Sequence, residues 1–357
     1  MEETTKILKN QHILSVTARA QHFTQEKIHP TTKNSNLWTP NKFSFYVLPL
    51  LLRKKHKIYK KVGITTIMAA IKKRTIGGKK YFYAEHSFKI GKKVKTLSKY
   101  LGKEIPSNIE EIKEDMEYEH LKLITFNKIK EIKSKYYKDQ NKLPTQEKQK
   151  LIEDFLVHFI YNSSKIEGSS LSLNDTKGLF LHNITPKNKP VNDVRETEGY
   201  RKAFYSMIEF KGKLDLKIIN KWHEMIFRET EDYIAGKLRV HKIIVTGSRT
   251  SFPAPEDVPG LLTEFFGWYS RNEKKMNPVE LAALVHLKFV TIHPYSDGNG
   301  RISRLLANYV LFHHNYPMLN IKFKDRKEYY KNLEASQINN KPKHFVRFFL
   351  KRYLKIK

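Results

Sequence analysis

The run His293-Pro294-Tyr295-Ser296-Asp297-Gly298-Asn299-Gly300-Arg301-Ile302-Ser303-Arg304 packs a titratable base, a carboxylate, glycines around an asparagine and a pair of arginines into one short stretch. Each residue type suits phosphate chemistry. A histidine can take a proton near neutral pH. An aspartate can hold a hard cation such as Mg²⁺. Gly298-Asn299-Gly300 permits a backbone concavity whose N–H groups point at an anion, and arginine forks bind phosphate oxygens.

The flanks place this stretch between helices. Asn277-Pro278-Val279-Glu280 reads as a helix start, with Asn as N-cap and Pro at the first helical position. The helix through 281–290 is apolar on most sides, which predicts burial, and Pro294 should end it just after His293. Ile302, Leu305, Leu306, Tyr309 and Val310 recur at helical spacing, so a second helix opens at or near Asn299. Its free N–H groups make an anion site, and Arg301 and Arg304 share a face of its first turns.

The run resembles the Fic signature, His-Pro-Phe-x-Asp/Glu-Gly-Asn-Gly-Arg-x-x-Arg, with Tyr295 in place of the usual Phe. Ser163-Ser164-Lys165-Ile166-Glu167-Gly168 is similar to the family's inhibitory motif, Ser/Thr-x-x-x-Glu-Gly/Asn. The resemblance implies that Ser163, Glu167 and Gly168 form that motif and that Glu167 pairs with Arg304. Residues 236–255 resemble the family's flap hairpin, physically two short β-compatible runs around a Gly/Ser/Arg turn; in relatives the flap aligns a target segment by strand addition.

The resemblance covers roughly residues 105–345 and implies a mainly α fold: a Fic-type helical core with a β-hairpin flap. It implies a protein adenylyltransferase, moving AMP from ATP to a Ser, Thr or Tyr hydroxyl of a protein target. His293 would be the catalytic base and Asp297 the Mg²⁺ ligand. Gly298, Asn299 and Gly300 would cradle phosphates, Arg301 would brace the β/γ end and Arg304 would bind the γ-phosphate. Tyr329 or Tyr330 would contact the base. Glu167 on Arg304 would keep the resting enzyme weakly active. Self-modification and a homodimer are further expectations. Removal of AMP, and UMP or phosphate transfer, compete with this reading.

Composition bounds the rest. A chain of 357 residues can bury a sizeable core and hold two domains. Cysteine is absent, which excludes disulfides and thiolate chemistry and is compatible with a reducing cytoplasm. The apolar run at 43–52 is too short to span a bilayer and contains Pro49. A cytoplasmic protein without a membrane partner is expected. The net charge of +31 is concentrated in residues 1–104, with clusters at Arg53-Lys54-Lys55-His56-Lys57 and Lys92-Lys93-Val94-Lys95. It favours acidic partners, nucleic acid above all, so a nucleic-acid-binding regulator is an alternative function. Solvated lysine-rich surfaces explain the charge at least as well.

Residues 1–67 show no sustained period and read as a disordered extension, or one preceding the true start, since Met68-Ala69-Ala70 looks like a natural beginning. Residues 68–104 read as a small basic β-hairpin unit, with strand-like runs either side of Gly91. It resembles a hairpin that precedes some archaeal Fic cores. Residues 105–144 read as connecting helices, a pair within 107–140. Residues 145–350 read as the Fic-like core, with the inhibitory motif at 163–168. His286 lies seven residues before His293 on about the same helical face; a packed or hydrogen-bonded histidine outweighs a metal pair there, since no carboxylate or Cys completes a ligand set.

Overall fold

The computed structural model describes residues 69–356 except 91–92 and 245–248, so the expectation for residues 1–67 lies outside the described residues. The protein is mainly helical. A three-stranded sheet, β1 (Ala70–Ile76), β2 (Lys79–Ile90) and β3 (Lys93–Gly102), is followed by α1 (Ile109–Lys142) and α2 (Thr145–Ile166). Then come α3 (Leu173–Leu181), α4 (Val191–Glu209), α5 (Leu216–Phe227), α6 (Val258–Asn272), α7 (Pro278–Ile292), α8 (Asn299–His313), α9 (Arg326–Ile338) and α10 (Lys343–Tyr353).

The sheet is antiparallel in the order β1-β2-β3. The reading of residues 68–104 as a hairpin lacked β1. Gly77 and Gly78 both have positive φ, +56° and +75°, and form the tight turn that pairs β1 with β2. Alternation decides which face is covered: Ala84, His86 and Phe88 are buried, and Ala84 packs with Ile112 and Met116 of α1. His86 Nε2 lies 2.6 Å from Nδ1 of His120 on α1.

Between Pro106 and Pro144 the chain has neither glycine nor proline, and the expected helix pair is one continuous 34-residue helix. At 1.5 Å per residue it spans about 50 Å.

Two helices set the centre of the core. The Asn277 side chain accepts from the Val279 N–H at 3.0 Å and caps α7, with Pro278 at its first position. Leu281, Ala282, Ala283, Val285 and Phe289 of α7 are fully buried, as are Ile302, Leu305, Leu306 and Val310 of α8. Burying each large apolar side chain stabilises the fold by roughly 1.5–3 kcal/mol. α7 ends at His293, which adopts left-handed φ 54°, ψ 57° ahead of Pro294. α8 starts at Asn299, straight after Gly298 at φ +80°. Residues 293–298 are thus a short loop stretched between two buried helices.

α2 buries Leu156, Val157, Phe159, Ile160 and Ile166 and ends at Glu167. Gly168 takes φ +101°; its N–H reaches the Lys165 carbonyl at 3.2 Å, and the Ser169 N–H reaches the Ser164 carbonyl at 3.1 Å. This double bond pattern is the glycine-terminated helix end called a Schellman motif. It aims Glu167 out of the helix terminus.

Residues 236–244 and 249–254 form no strand, in contrast to the β-compatible pattern. The buried side chain of Arg239 takes the place of ladder bonds. Its Nε donates to the His293 carbonyl at 2.6 Å, and its terminal nitrogens donate to His241 O at 3.0 Å and Pro253 O at 2.7 Å. Among the described residues no helix is long and apolar enough to cross a membrane.

Candidate active site

His293 is oriented from its own helix and by the segment beyond Arg239. Its Nδ1 lies 3.2 Å from the Val290 carbonyl, which can only accept, so Nδ1 carries the proton and Nε2 keeps its lone pair. The Phe252 ring packs 4.1 Å away. Burial is the main cause that lowers the His293 pKa to about 4; the Arg239 charge adds to it, while the Val290 carbonyl, Asp297 and Glu167 oppose it. At neutral pH the ring is an uncharged base.

The loop after His293 is clamped on itself. Asn299 Oδ1 accepts from the Tyr295 N–H at 2.9 Å and its Nδ2 donates to the Tyr295 carbonyl at 2.8 Å. Tyr295 is buried and its hydroxyl donates to Asn220 at 2.7 Å. A Cβ on Gly298 would strike the Phe227 ring, so only glycine fits. The Gly236 N–H donates to His223 Nδ1 at 3.0 Å, which leaves Nε2–H to donate to the Asp297 carbonyl at 3.0 Å. Burial holds the His223 pKa down at about 4. A neutral histidine from α5 therefore fixes the loop from below.

The arginines of α8 serve different neighbours. Arg301 pairs with Glu196 of α4 and, at 2.9 Å, with Asp297, and its guanidinium lies 4.4 Å over the Phe227 ring. Arg304 is buried and holds the C-terminal end of α2. Its Nε donates to Ser163 Oγ at 2.7 Å, and one terminal nitrogen donates to Ser163 O at 3.1 Å and to Glu167 Oε1 at 2.7 Å. The other donates to the Tyr329 hydroxyl at 3.4 Å, which in turn donates to His286 at 3.1 Å. With its oxygen taken by Arg304, Ser163 donates to Tyr200 at 3.1 Å, and Tyr200 donates to the Arg301 carbonyl at 2.9 Å. Burial raises the Tyr200 and Tyr329 hydroxyls to about 12, so both stay protonated as these roles require.

Glu167 sits so close to the start of α8 that a Cβ on Gly300 would fall on its carboxylate. The Tyr330 hydroxyl reaches its other oxygen at 3.4 Å. A cavity of about 590 Å³ opens here, lined by Glu167, His293, Asp297, Asn299, Gly300, Tyr329 and Tyr330, with Phe252, Ile243 and Ile244 along another side. That volume suits a nucleotide-sized ligand. Arg301 and Arg304 do not line it; Glu167 does. Tyr330 is partly exposed, while Tyr329 is buried and spends its hydroxyl on Arg304 and His286.

All the candidate residues from 163–168, 293–304 and 329–330 thus converge on one place. Sequence reading missed Glu196, Tyr200, His223 and Arg239. Val191–Glu209 and Leu216–Phe227 carry ordinary amphipathic packing patterns, and nothing local marks those four. Among the described residues no group of three or more His, Cys, Asp or Glu side chains could hold a metal by itself.

Residues 213–311 match the model of the Fic/DOC family. The chain is 31% identical over 206 residues to protein adenylyltransferase Fic of Nematostella vectensis, covering 56% of this chain and 47% of that one. It is 32% identical over 202 residues to protein adenylyltransferase Fic of Culex quinquefasciatus, covering 55% and 39%. The chain therefore spans less than half the length of these relatives. Among solved structures, a Fic domain containing signaling protein from Bacteroides thetaiotaomicron aligns with a TM-score of 0.58 at 27% identity, over 64% of this chain and 94% of that one. Fic-1 from C. elegans shares the fold, with a TM-score of 0.57 at 21% identity, over 66% and 70%.

Proposed function

We propose that the protein transfers AMP from ATP to a hydroxyl side chain of a protein target and is restrained by its own Glu167. One observation carries the reading: His293, neutral and with its proton on Nδ1, lines the same cavity as Asn299 and Gly300 at the N-terminus of α8. The triphosphate would lie over Gly298, Asn299 and Gly300, where backbone N–H groups and the helix end favour an anion. His293 Nε2 takes the proton of the target hydroxyl as its oxygen bonds to the α-phosphorus. The bond from that phosphorus to the bridging oxygen breaks, and pyrophosphate leaves. Positioning and charge neutralisation supply most of the rate in such transfers.

The donor set fits Mg²⁺. Asp297 offers one largely exposed carboxylate at the cavity, and Mg²⁺ usually takes one or two carboxylates and completes its shell with phosphates and water. Bound there, Mg²⁺ would neutralise charge building on the phosphates. Arg301, held by Glu196 and Asp297, would brace the β/γ end, and Tyr330 would flank the base.

Glu167 lies between Arg304 and the cavity. A carboxylate and a γ-phosphate compete for the same guanidinium, so ATP binds in a productive pose once Glu167 has moved aside. Because Glu167 itself faces the cavity beside His293, removal of AMP with Glu167 aligning a water is the second reading. Incubation with α-labelled and γ-labelled ATP, for wild type and Glu167→Gly, separates the choices. AMP transfer deposits the α-label alone on protein, and more of it with Glu167→Gly. Phosphate transfer deposits the γ-label. Loss of label from pre-modified protein, dependent on Glu167, supports removal.

A further inference from the structure

Among the described residues, α1 covers one face of the β1–β3 sheet and nothing covers the other. Pairing places Tyr83 opposite Tyr100 and Arg74 opposite Tyr81 on that open face. The Tyr83 and Tyr100 ring centroids are 5.3 Å apart and those of Tyr81 and Tyr100 are 6.1 Å apart, both tilted rather than stacked. Tyr100 is 55% exposed. Arg74 lies 4.4 Å over Tyr83, offering a second flat surface. Lys72 and Lys79 share this face and are exposed. The strands contain a single acid, Glu85, and it is paired with Arg74. Four residues along the strands from Tyr83 and Tyr100, past the Glu85–Ser98 pair, Ser87 and Thr96 share a hydrogen bond of 2.9 Å, which leaves one hydroxyl hydrogen free for an outside acceptor.

Among the described residues the three adjoining tyrosines pack only on one another and on Arg74, because the apolar partners of the sheet lie on its other face. Aromatic rings flanked by cations meet the two demands of an unpaired nucleic acid strand: π-faces for bases and positive charge for phosphates. A protein partner fits less well, since the core of a protein interface is depleted in lysine. The free hydroxyl hydrogen farther along the same face can meet the ribose 2′-OH of a neighbouring nucleotide, which distinguishes RNA from DNA. We propose that the open face of the β1–β3 sheet binds single-stranded RNA, stacking bases on Tyr100, Tyr81 and the Tyr83–Arg74 pair, with Lys72 and Lys79 on the phosphates. This is independent of the proposed catalysis, because none of these residues touches the cavity at α8.

The test is fluorescence anisotropy of the full-length protein with a labelled oligo-uridylate of about 12 nucleotides, within the range of single-strand sites. The same length of single-stranded DNA, an RNA duplex and poly-glutamate serve as competitors, across a salt series. Tyr100→Ala should weaken RNA binding about 5- to 160-fold, the range for one lost stack, while Tyr100→Phe retains it. Lys72→Ala should flatten the log–log salt dependence by ~0.7. His293→Ala should bind as wild type does. Equal competition by poly-glutamate, or an unchanged affinity with Tyr100→Ala, would reduce the face to a polyanion or acidic-protein surface and overturn the proposal. Equal binding of the duplex would remove the stacking role, and equal binding of DNA would overturn the assignment to RNA.

Discussion

The loop from His293 to Arg304 and the turn at residues 163–168 meet at Gly300, yet they are held in place differently. The loop is secured largely by bonds within itself: Asn299 to both backbone groups of Tyr295, Asp297 to the Gly298 N–H and to Arg301. The turn is secured locally only as a helix end. Its contact with the loop rests on side chains 137 positions apart, Glu167 and Arg304. The burial differs as well. The Arg304 side chain is 2% exposed, whereas that of Glu167 is 29% exposed. Glu167, being partly wetted, is the partner that can leave, and a γ-phosphate taking its place spares the buried Arg304 the several kcal/mol that an unpaired charge there would cost. The geometry therefore pairs a rigid half with a releasable half, and substitutions should separate them.

The largest effect belongs to the rigid half. His293→Ala should reduce α-label transfer ~10²–10⁴-fold, the usual worth of a general base, with the thermal transition unchanged. Transfer within a few-fold of wild type would remove His293 from that role. EDTA, or Asp297→Ala, should likewise stop transfer; activity that survives complete removal of divalent cation would break the Mg²⁺ assignment.

Next comes the releasable half. Glu167→Gly should raise incorporation, by roughly 10- to 1,000-fold if the competent form is otherwise ~0.1–10% of molecules. Adding Arg304→Ala should cancel the gain. Equal incorporation by wild type and Glu167→Gly at matched ATP and Mg²⁺ would mean that residues 163–168 serve only as a helix end.

Smaller effects report on how each half is built. His223 and His293 sit at about pKa 4 in the folded protein, below the ordinary value of 6.5, because burial disfavours their charged forms. The unfolded chain then binds more protons, so stability is complete above pH 6.5 and is lost as pH falls toward 4. The urea midpoint should drop between pH 7.5 and pH 5, and His223→Gln should shrink that drop. A midpoint independent of pH over this window would contradict the buried neutral state. Least of all, Gly168→Ala places a side chain at φ +101° and should cost about 1–2 kcal/mol. It should also raise basal labelling by loosening the aim of Glu167; a lower urea midpoint with unchanged labelling would show that Glu167 is held by Arg304 alone.

Legibility followed the range of the interactions. The start of α7 could be read because an Asn cap and a first-turn Pro act within three residues, and the start of α8 because Gly298 tolerates φ +80° where other residues are strained. The strand β1 was missed because Ala70–Ile76 is nearly all exposed, so it lacks the alternation that a half-buried strand shows; the Gly77-Gly78 turn was its available signal. The flap was read as a hairpin from β-compatible residues, but Arg239 satisfies its carbonyls from the side, and the described residues there need no ladder.

By itself, the chain's order of residues determined the helix–loop–helix and the chemistry of its side chains, since capping, left-handed turns and residue type act over a few positions. Tertiary structure alone decided the charge partners. Nothing in the spacing of Arg301 and Arg304 says that one meets Glu196 and the other Glu167, or that Tyr200 and Ser163 join them by a directed chain of hydrogen bonds. It also decided that His293 is neutral with Nε2 bare, because desolvation comes from every element packed around the ring. These properties belong to a buried volume shared by distant segments, and exist only once α2, α4, α5 and α8 have closed on one another.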